Sequence, residues 1–195
     1  MTEQEISAAK KALRRELMLK RRNLDKNYKE FLDEKIYTNL KDIPAVKNAE
    51  IILTYASSPI EADTRRLIAF ALSEGKTVAV PKCEGKNMRF LAIKSLSELV
   101  TGSHGVDEPA GGEEITDFSR SVCITPALRF DENGYRLGYG GGFYDRFLKS
   151  YIGVPIGICY EEFCGSVPIG EFDISLETVI TEKGFFCGKE DFCGR

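Results

Sequence analysis

Residues 3–23 show strong helical periodicity. Ile6, Leu13, Leu17 and Leu24 fall within roughly 40° of one another on a 3.6-residue wheel, which predicts an amphipathic helix. Lys10, Arg14 and Arg21 run as a basic strip along one flank of that apolar stripe, where core contact borders an open cleft. A second helix is predicted over 28–41, ending before Pro44 because the residue ahead of a proline avoids helical geometry. The pattern then changes period. Residues 50–55 read as a buried strand, 64–73 as a helix capped by Asp63 and closed by Gly75, and 77–80 as a strand. Strand, helix and strand in that order predict a right-handed parallel crossover.

Residues 88–93 alternate as a further strand, and 101–117, rich in glycine, proline and acids, read as a long surface connection. A strand over 121–125, a tight turn at 131–134, a helix over 143–149 and strands over 154–159 and 177–181 follow, while 188–195 reads as frayed. No internal repeat is visible. The expected architecture is a single α/β domain over 1–195, a Rossmann-like three-layer arrangement with a mainly parallel sheet flanked by helices on both faces.

Composition narrows the function classes. A chain of 195 residues is long enough for one sizeable core, and 43% hydrophobic with 29% charged residues is the balance of a soluble globular protein. The net charge of −3 gives no reason to expect nucleic-acid binding. No apolar run reaches the length of a membrane span, and the acidic start leads straight into a charged helix. The expectation is a cytoplasmic protein without a membrane or nucleic-acid partner. Six cysteines (83, 123, 159, 164, 187, 193) form no Cys-x-x-Cys pair and share the chain with one histidine, His104. They therefore read as unliganded thiols, with Cys123 and Cys159 small core residues inside apolar strands.

The chemistry concentrates in Gly134-Tyr-Arg-Leu-Gly-Tyr-Gly-Gly-Gly-Phe-Tyr-Asp145. Gly138, Gly140, Gly141 and Gly142 let backbone N–H groups converge with no Cβ in the way. Arg136 adds a fixed fork of donors at the entrance of the loop, and Asp145 follows in the first turn of the next helix. Such a loop suits phosphate, with a carboxylate placed for the metal that phosphate brings. It matches neither Gly-x4-Gly-Lys-[Ser/Thr] nor Gly-x-Gly-x-x-Gly, since Phe143 stands where the third glycine would be. A flexible glycine linker is the plain alternative, but a linker does not need Arg136, Tyr139, Tyr144 and Asp145 interleaved with its glycines. Lys10 and Arg14, at i and i+4, can reach one phosphate group. Glu61, after the first strand, stands where open α/β sheets bind ligands.

In this order, residues 10–14, 61–64, 125–131, 134–148, 167–168, Asp173 and 179–182 resemble the 5-formyltetrahydrofolate cyclo-ligase family. The resemblance spans almost the whole chain, and its glycine-loop segment is highly specific. It implies an ATP- and magnesium-dependent closure of 5-formyltetrahydrofolate to 5,10-methenyltetrahydrofolate, with ADP and phosphate released. By motif position, the resemblance places ATP against Lys10, Arg14, Arg136, Leu137, Gly138, Tyr139, Gly140, Gly141, Gly142, Phe143 and Tyr144, with Arg136 also catalytic. It places the folate against Ala56, Glu61, Tyr139, Gly140, Gly141, Gly142 and Phe143, and magnesium on Asp145 and Asp173. The chain departs from the usual pattern at Phe143, Phe172 and Ala127, none of which removes a charge. A monomer or weak homodimer is expected. The competing readings are a nucleotide-binding regulatory module of the same fold without turnover, and an ATP-independent isomerase or acyl-CoA transferase of similar architecture.

Overall fold

The computed structural model describes residues 1–102 and 105–187, so the expectations for 188–195, His104 and Cys193, and for the thiol of Cys187, lie outside the described residues. In chain order the elements are α1 (Glu3–Arg22), α2 (Lys26–Lys41), α3 (Pro44–Asn48), β1 (Ile51–Leu53), α4 (Arg65–Ser73), β2 (Thr77–Glu84) and β3 (Asn87–Ile93). They continue with β4 (Leu99–Thr101), β5 (Asp107–Pro109), β6 (Ser121–Pro126), β7 (Arg129–Phe130) and β8 (Arg136–Leu137). Last come α5 (Phe143–Leu148), β9 (Val154–Ile158), β10 (Thr178–Thr181) and β11 (Gly184–Cys187).

Seven strands form one sheet in the order β11-β10-β9-β6-β1-β2-β3. The five from β10 to β2 are mutually parallel, and β3 and β11 close the edges antiparallel. Period-2 alternation then sorts the core. Ile52 pairs in register with Val78 and Val122, and these three face the helical layer with Leu17, Ile36, Leu67 and Ile68. The next register row, Leu53 with Ala79 and Cys123, faces the other side under Phe90, with Phe118, Phe147 and Tyr151 packed against it. Helices α1 to α4 therefore cover one face, and α5 with the 115–118 segment covers the other. This is the α/β sandwich that the alternating strand and helix patterns imply.

Local signals explain the helix ends. Thr2 Oγ1 accepts from Glu5 N while Glu5 Oε2 accepts from Thr2 N, a reciprocal capping box opening α1. Asp63 accepts from the N–H groups of Arg65 and Arg66 at the head of α4, as expected of a cap, although Thr64 is the boundary residue and lies outside the helix. At its other end Gly75 takes φ +74°, and Lys76 N donates to Ala71 O while Gly75 N donates to Leu72 O. That is a Schellman ending, and it needs the glycine.

Four features depart from the sequence expectations. Pro44 does end α2, but it also starts the five-residue α3, because a proline suits the first helical position. The hairpin strands β7 and β8 are too short to leave a period, although the turn between them was legible: Asp131 Oδ1 accepts from Asn133 N and Tyr135 N. The edge strand β11 is not among the expected strands; antiparallel pairing with β10 holds it. The 101–117 stretch is not a free surface connection. It contains β5, paired with β4, and its Glu108 is buried; Glu114 bridges to Leu91 beyond the sheet edge. Backbone pairing holds it there, which side-chain composition does not report.

Candidate active site

Strand β1 leads the chain to β2 and β3 on one side of the sheet, whereas β6, its other neighbour, leads to β9, β10 and β11 on the opposite side. The carboxyl ends of β1 and β6 thus flank the point where strand order reverses, and open α/β sheets place their ligand crevice there. The loop after β1 carries Glu61. It is held by Thr64 Oγ1 donating to Tyr55 O, by Ser57 N donating to Thr64 Oγ1 at 3.2 Å, and by Tyr55 OH donating to Ala62 O at 2.9 Å. Glu61 is itself buried. Its Oε2 accepts from Ser58 N at 2.8 Å, and its carboxylate lies close enough to Tyr139 of the glycine loop to act on the phenol. The Tyr139 residue is 40% exposed, yet burial of its hydroxyl end, and then the Glu61 charge, push the phenol up, with Arg21 opposing. Ala56 lies buried at the start of the same loop.

The glycine loop follows β8. Gly140 and Gly142 take φ +109° and +63°, conformations that side chains other than glycine rarely adopt, and a Cβ on Gly141 would stand 2.6 Å from the Phe143 ring. Helix α1 supplies the facing cations. Arg14 Nε donates to Gly138 O at 2.8 Å, and Lys10 forms an ion pair with Asp173 Oδ2, which also accepts from Gly170 N at 2.7 Å. Arg136 is not at an entrance. It is buried, with Nη2 on Asp145 Oδ1 at 2.7 Å and Nη1 on Ile174 O at 3.0 Å. Burial pulls its pKa down while Asp145 and Asp173 oppose. Asp145 Oδ1 also accepts from Ile174 N at 3.3 Å, so the 170–174 segment joins both acids to the loop.

Most of the expected residues therefore meet. Lys10, Arg14, Arg136, Asp145 and Asp173 form one charge cluster around the loop from Gly138 to Gly142, and Tyr139 of that loop stands near Glu61. Leu137 contributes backbone only: its side chain is buried in the core, and its carbonyl accepts from Leu128 N at 2.8 Å. Tyr144 OH is fully enclosed and has no hydrogen-bond partner among the described residues. A buried hydroxyl left unpaired is costly. Among the described residues no set of three or more His, Cys, Asp or Glu is placed to hold a metal. Two carboxylates side by side are nevertheless a donor set that suits magnesium when phosphate and water oxygens fill the remaining positions.

Two arginines were misread or missed. Arg21 is not on an open flank but 3% exposed, its guanidinium donating to the carbonyls of Ile60, Ala127 and Leu128. Arg146 Nη2 donates to Gly141 O and to Lys86 O, both at 2.9 Å, and its guanidinium lies 5.1 Å from the Phe143 ring centre. Its position directly after Asp145 was the available signal. Two of the thiols are held protonated. Burial pushes Cys123 up to about 12 and Cys83 up to about 11, so neither is a nucleophile near neutral pH. A cavity of about 700 Å3 lies on the outer side of the Glu61 loop, lined in part by Lys29, Asp33, Ser57, Arg65 and Asp107. No glycine-loop residue lines it, and its cations are taken up, Lys29 by Asp33 and Arg65 by Asp107. The charge cluster is the better site.

Fold and site together define an α/β protein with a glycine-loop crevice, lined by cations and carboxylates, at the switch point of its sheet. The model of the 5-formyltetrahydrofolate cyclo-ligase family matches residues 6–182, and the chain belongs to that family. It is 33% identical over 171 residues to the 5-formyltetrahydrofolate cyclo-ligase of Escherichia coli K12, covering 83% of this chain and 94% of the relative. It is 30% identical over 183 residues to the mitochondrial 5-formyltetrahydrofolate cyclo-ligase of Arabidopsis thaliana, covering 78% and 66%. The NMR structure of the Aquifex aeolicus 5,10-methenyltetrahydrofolate synthetase superposes with a TM-score of 0.80 at 33% identity, covering 90% of this chain and 91% of that one. A Mycoplasma pneumoniae 5,10-methenyltetrahydrofolate synthetase shares the fold at a TM-score of 0.73 and 23% identity, covering 89% and 98%.

Proposed function

We propose that this protein is an enzyme that closes 5-formyltetrahydrofolate to 5,10-methenyltetrahydrofolate at the expense of ATP, releasing ADP and phosphate. The observation that carries the reading is the meeting of Lys10, Arg14 and Arg136 with Asp145 and Asp173 around a glycine loop whose Tyr139 neighbours Glu61. One crevice thereby offers a polyanion site and, beside it, a carboxylate acceptor for N–H groups.

A formyl oxygen on nitrogen is a poor leaving group, and transfer of a phosphoryl group to it makes it a good one. The formyl oxygen attacks the γ-phosphorus and ADP departs. Folate N10 then adds to the phosphorylated imidate carbon, loses its proton, and phosphate leaves as the ring closes. Such chemistry rests on positioning and charge neutralisation and demands no protein nucleophile. Arg136, buried and anchored on Ile174 O, is the fixed donor fork for the transferring group. Lys10 and Arg14 hold the nucleotide phosphates, and the stretch from Leu137 to Tyr144 wraps it through backbone and ring contacts. Glu61 accepts from the amino and ring N–H groups of the pterin. Ala56 and the stretch from Tyr139 to Phe143 border the folate. In the free protein each acid is paired with a cation, Asp173 with Lys10 and Asp145 with Arg136. When phosphate takes those cations, both acids are released toward a metal. Magnesium held by Asp145 and Asp173 would supply charge neutralisation on the phosphate oxygens. We place this activity in the cytoplasm, in a monomer or weak homodimer. Among the described residues no helix is long and apolar enough to cross a membrane.

The test is absorbance at the methenyl-folate band on mixing the protein, 5-formyltetrahydrofolate and Mg²⁺, with and without ATP. A rise that requires ATP supports the reading. No rise from folded protein that still binds ATP refutes turnover and leaves a nucleotide-binding module.

A further inference from the structure

A buried guanidinium with no carboxylate partner is expensive, and a chain that needed only packing at that place would be better served by leucine or methionine. Arg21 is such a group. It is 3% exposed, and no ion pair involving it is found among the described residues. Its donors reach main chain instead. Nη1 donates to Ile60 O at 3.1 Å, and Nη2 to Ala127 O and Leu128 O, each at 2.9 Å, with Cys159 Sγ at 3.1 Å. The guanidinium carbon lies 5.5 Å and 4.9 Å from the ring centres of Tyr160 and Phe163, and Nε is left unpartnered.

The three carbonyls belong to the two halves of the site. Ile60 immediately precedes Glu61, so one bond fixes the end of the loop that carries the carboxylate. Ala127 and Leu128 follow β6, and Leu128 N donates to Leu137 O, the residue before the glycine loop. Arg21 thus ties the Glu61 loop to the root of the glycine loop across the switch point. On α1 it lies within roughly 40° of Lys10 and Arg14 on a 3.6-residue wheel. Those two hold Asp173 and Gly138 O, so one rigid helix face touches the Glu61 loop, the glycine loop and the Asp173 segment. We infer that Arg21 is a positioning residue that sets the spacing between Glu61 and the glycine loop, and through it the affinity for the folate. The inference rests on the proposed folate reading. A lysine keeps the charge but not the fork, and one ammonium cannot hold carbonyls on both sides of the gap in the same geometry.

The experiment is steady-state kinetics of wild type, Arg21→Lys and Arg21→Met, with KM for 5-formyltetrahydrofolate and for ATP measured separately beside thermal melting. In folded Arg21→Lys the folate KM should rise at least about tenfold while the ATP KM stays within about twofold. Arg21→Met should do the same or more. A merely structural role lowers kcat in proportion to the folded fraction and moves neither KM, and that result overturns the inference. Failure of both variants to fold overturns it too, because the residue is then a stability element. If the wild type makes no methenyl product, the cyclo-ligase reading has failed. Arg21 is then judged by calorimetric titration of 5-formyltetrahydrofolate into wild type and Arg21→Lys, where equal affinity overturns the inference and a tenfold loss supports it.

Discussion

Arg136→Ala removes one partner of a pair whose side chains are 3% and 27% exposed and whose atoms lie 2.7 Å apart. Truncating one member of a fully buried pair costs about 3–5 kcal/mol, chiefly because the other charge is left unpaired. Asp145 is a quarter exposed, so water recovers part of that penalty, and roughly 2–3 kcal/mol is the expected loss. For a chain of this size each kcal/mol moves the melting temperature by about 2–4 °C, giving a drop of roughly 4–12 °C. A protein of ordinary stability, about 5–15 kcal/mol, stays almost entirely folded at 25 °C after such a loss. Turnover measured there therefore reads catalysis rather than unfolding. It should fall at least about tenfold, equivalent to ~1.4 kcal/mol of transition-state stabilisation. The assay pairs thermal melting with initial rates at saturating ATP and folate. Wild-type turnover in the folded variant would refute the catalytic role of Arg136. An unchanged melting temperature would refute the ion-pair reasoning.

Asp145→Asn keeps the size and one acceptor for Arg136 but loses the charge, so half-maximal rate should require more magnesium; a wild-type titration curve would count against the metal assignment. Burial raises the thiols of Cys83 to about 11 and Cys123 to about 12 from an ordinary 9.0. The native state holds those protons more tightly than the unfolded chain does. Their contribution is complete below about pH 9 and is lost as pH climbs through 11 to 12. The melting temperature should fall along that alkaline limb, less steeply in Cys123→Ala, whose activity at neutral pH should match wild type in the folded fraction. A melting temperature flat between pH 8 and 11 would contradict the burial of these two thiols, and a selective loss of turnover in folded Cys123→Ala would contradict the core role of Cys123.

What could be read before folding was what local physics sets. Helix α1 announces itself through Leu13 and Leu17 at helical spacing, and α4 through Asp63 and Gly75 at its ends. Sheet strands with a buried row, such as β6 and β9, show as apolar runs. The glycine loop was legible because φ values such as those at Gly140 and Gly142 are available to few other residues. Tertiary structure decided the partners. No period or composition says that Arg14 reaches Gly138 O across 124 residues, that Lys10 meets Asp173, or that Tyr139 comes close to Glu61. Arg21 shows the limit most plainly. On the wheel it belongs with Lys10 and Arg14 at the edge of a cleft, yet it is buried by contacts with three carbonyls from loops 39 to 107 residues away. Helical spacing places a side chain on a face of its own helix. What that face meets depends on long-range strand order, here the reversal between β1 and β6, which brings the loops after both strands together over α1.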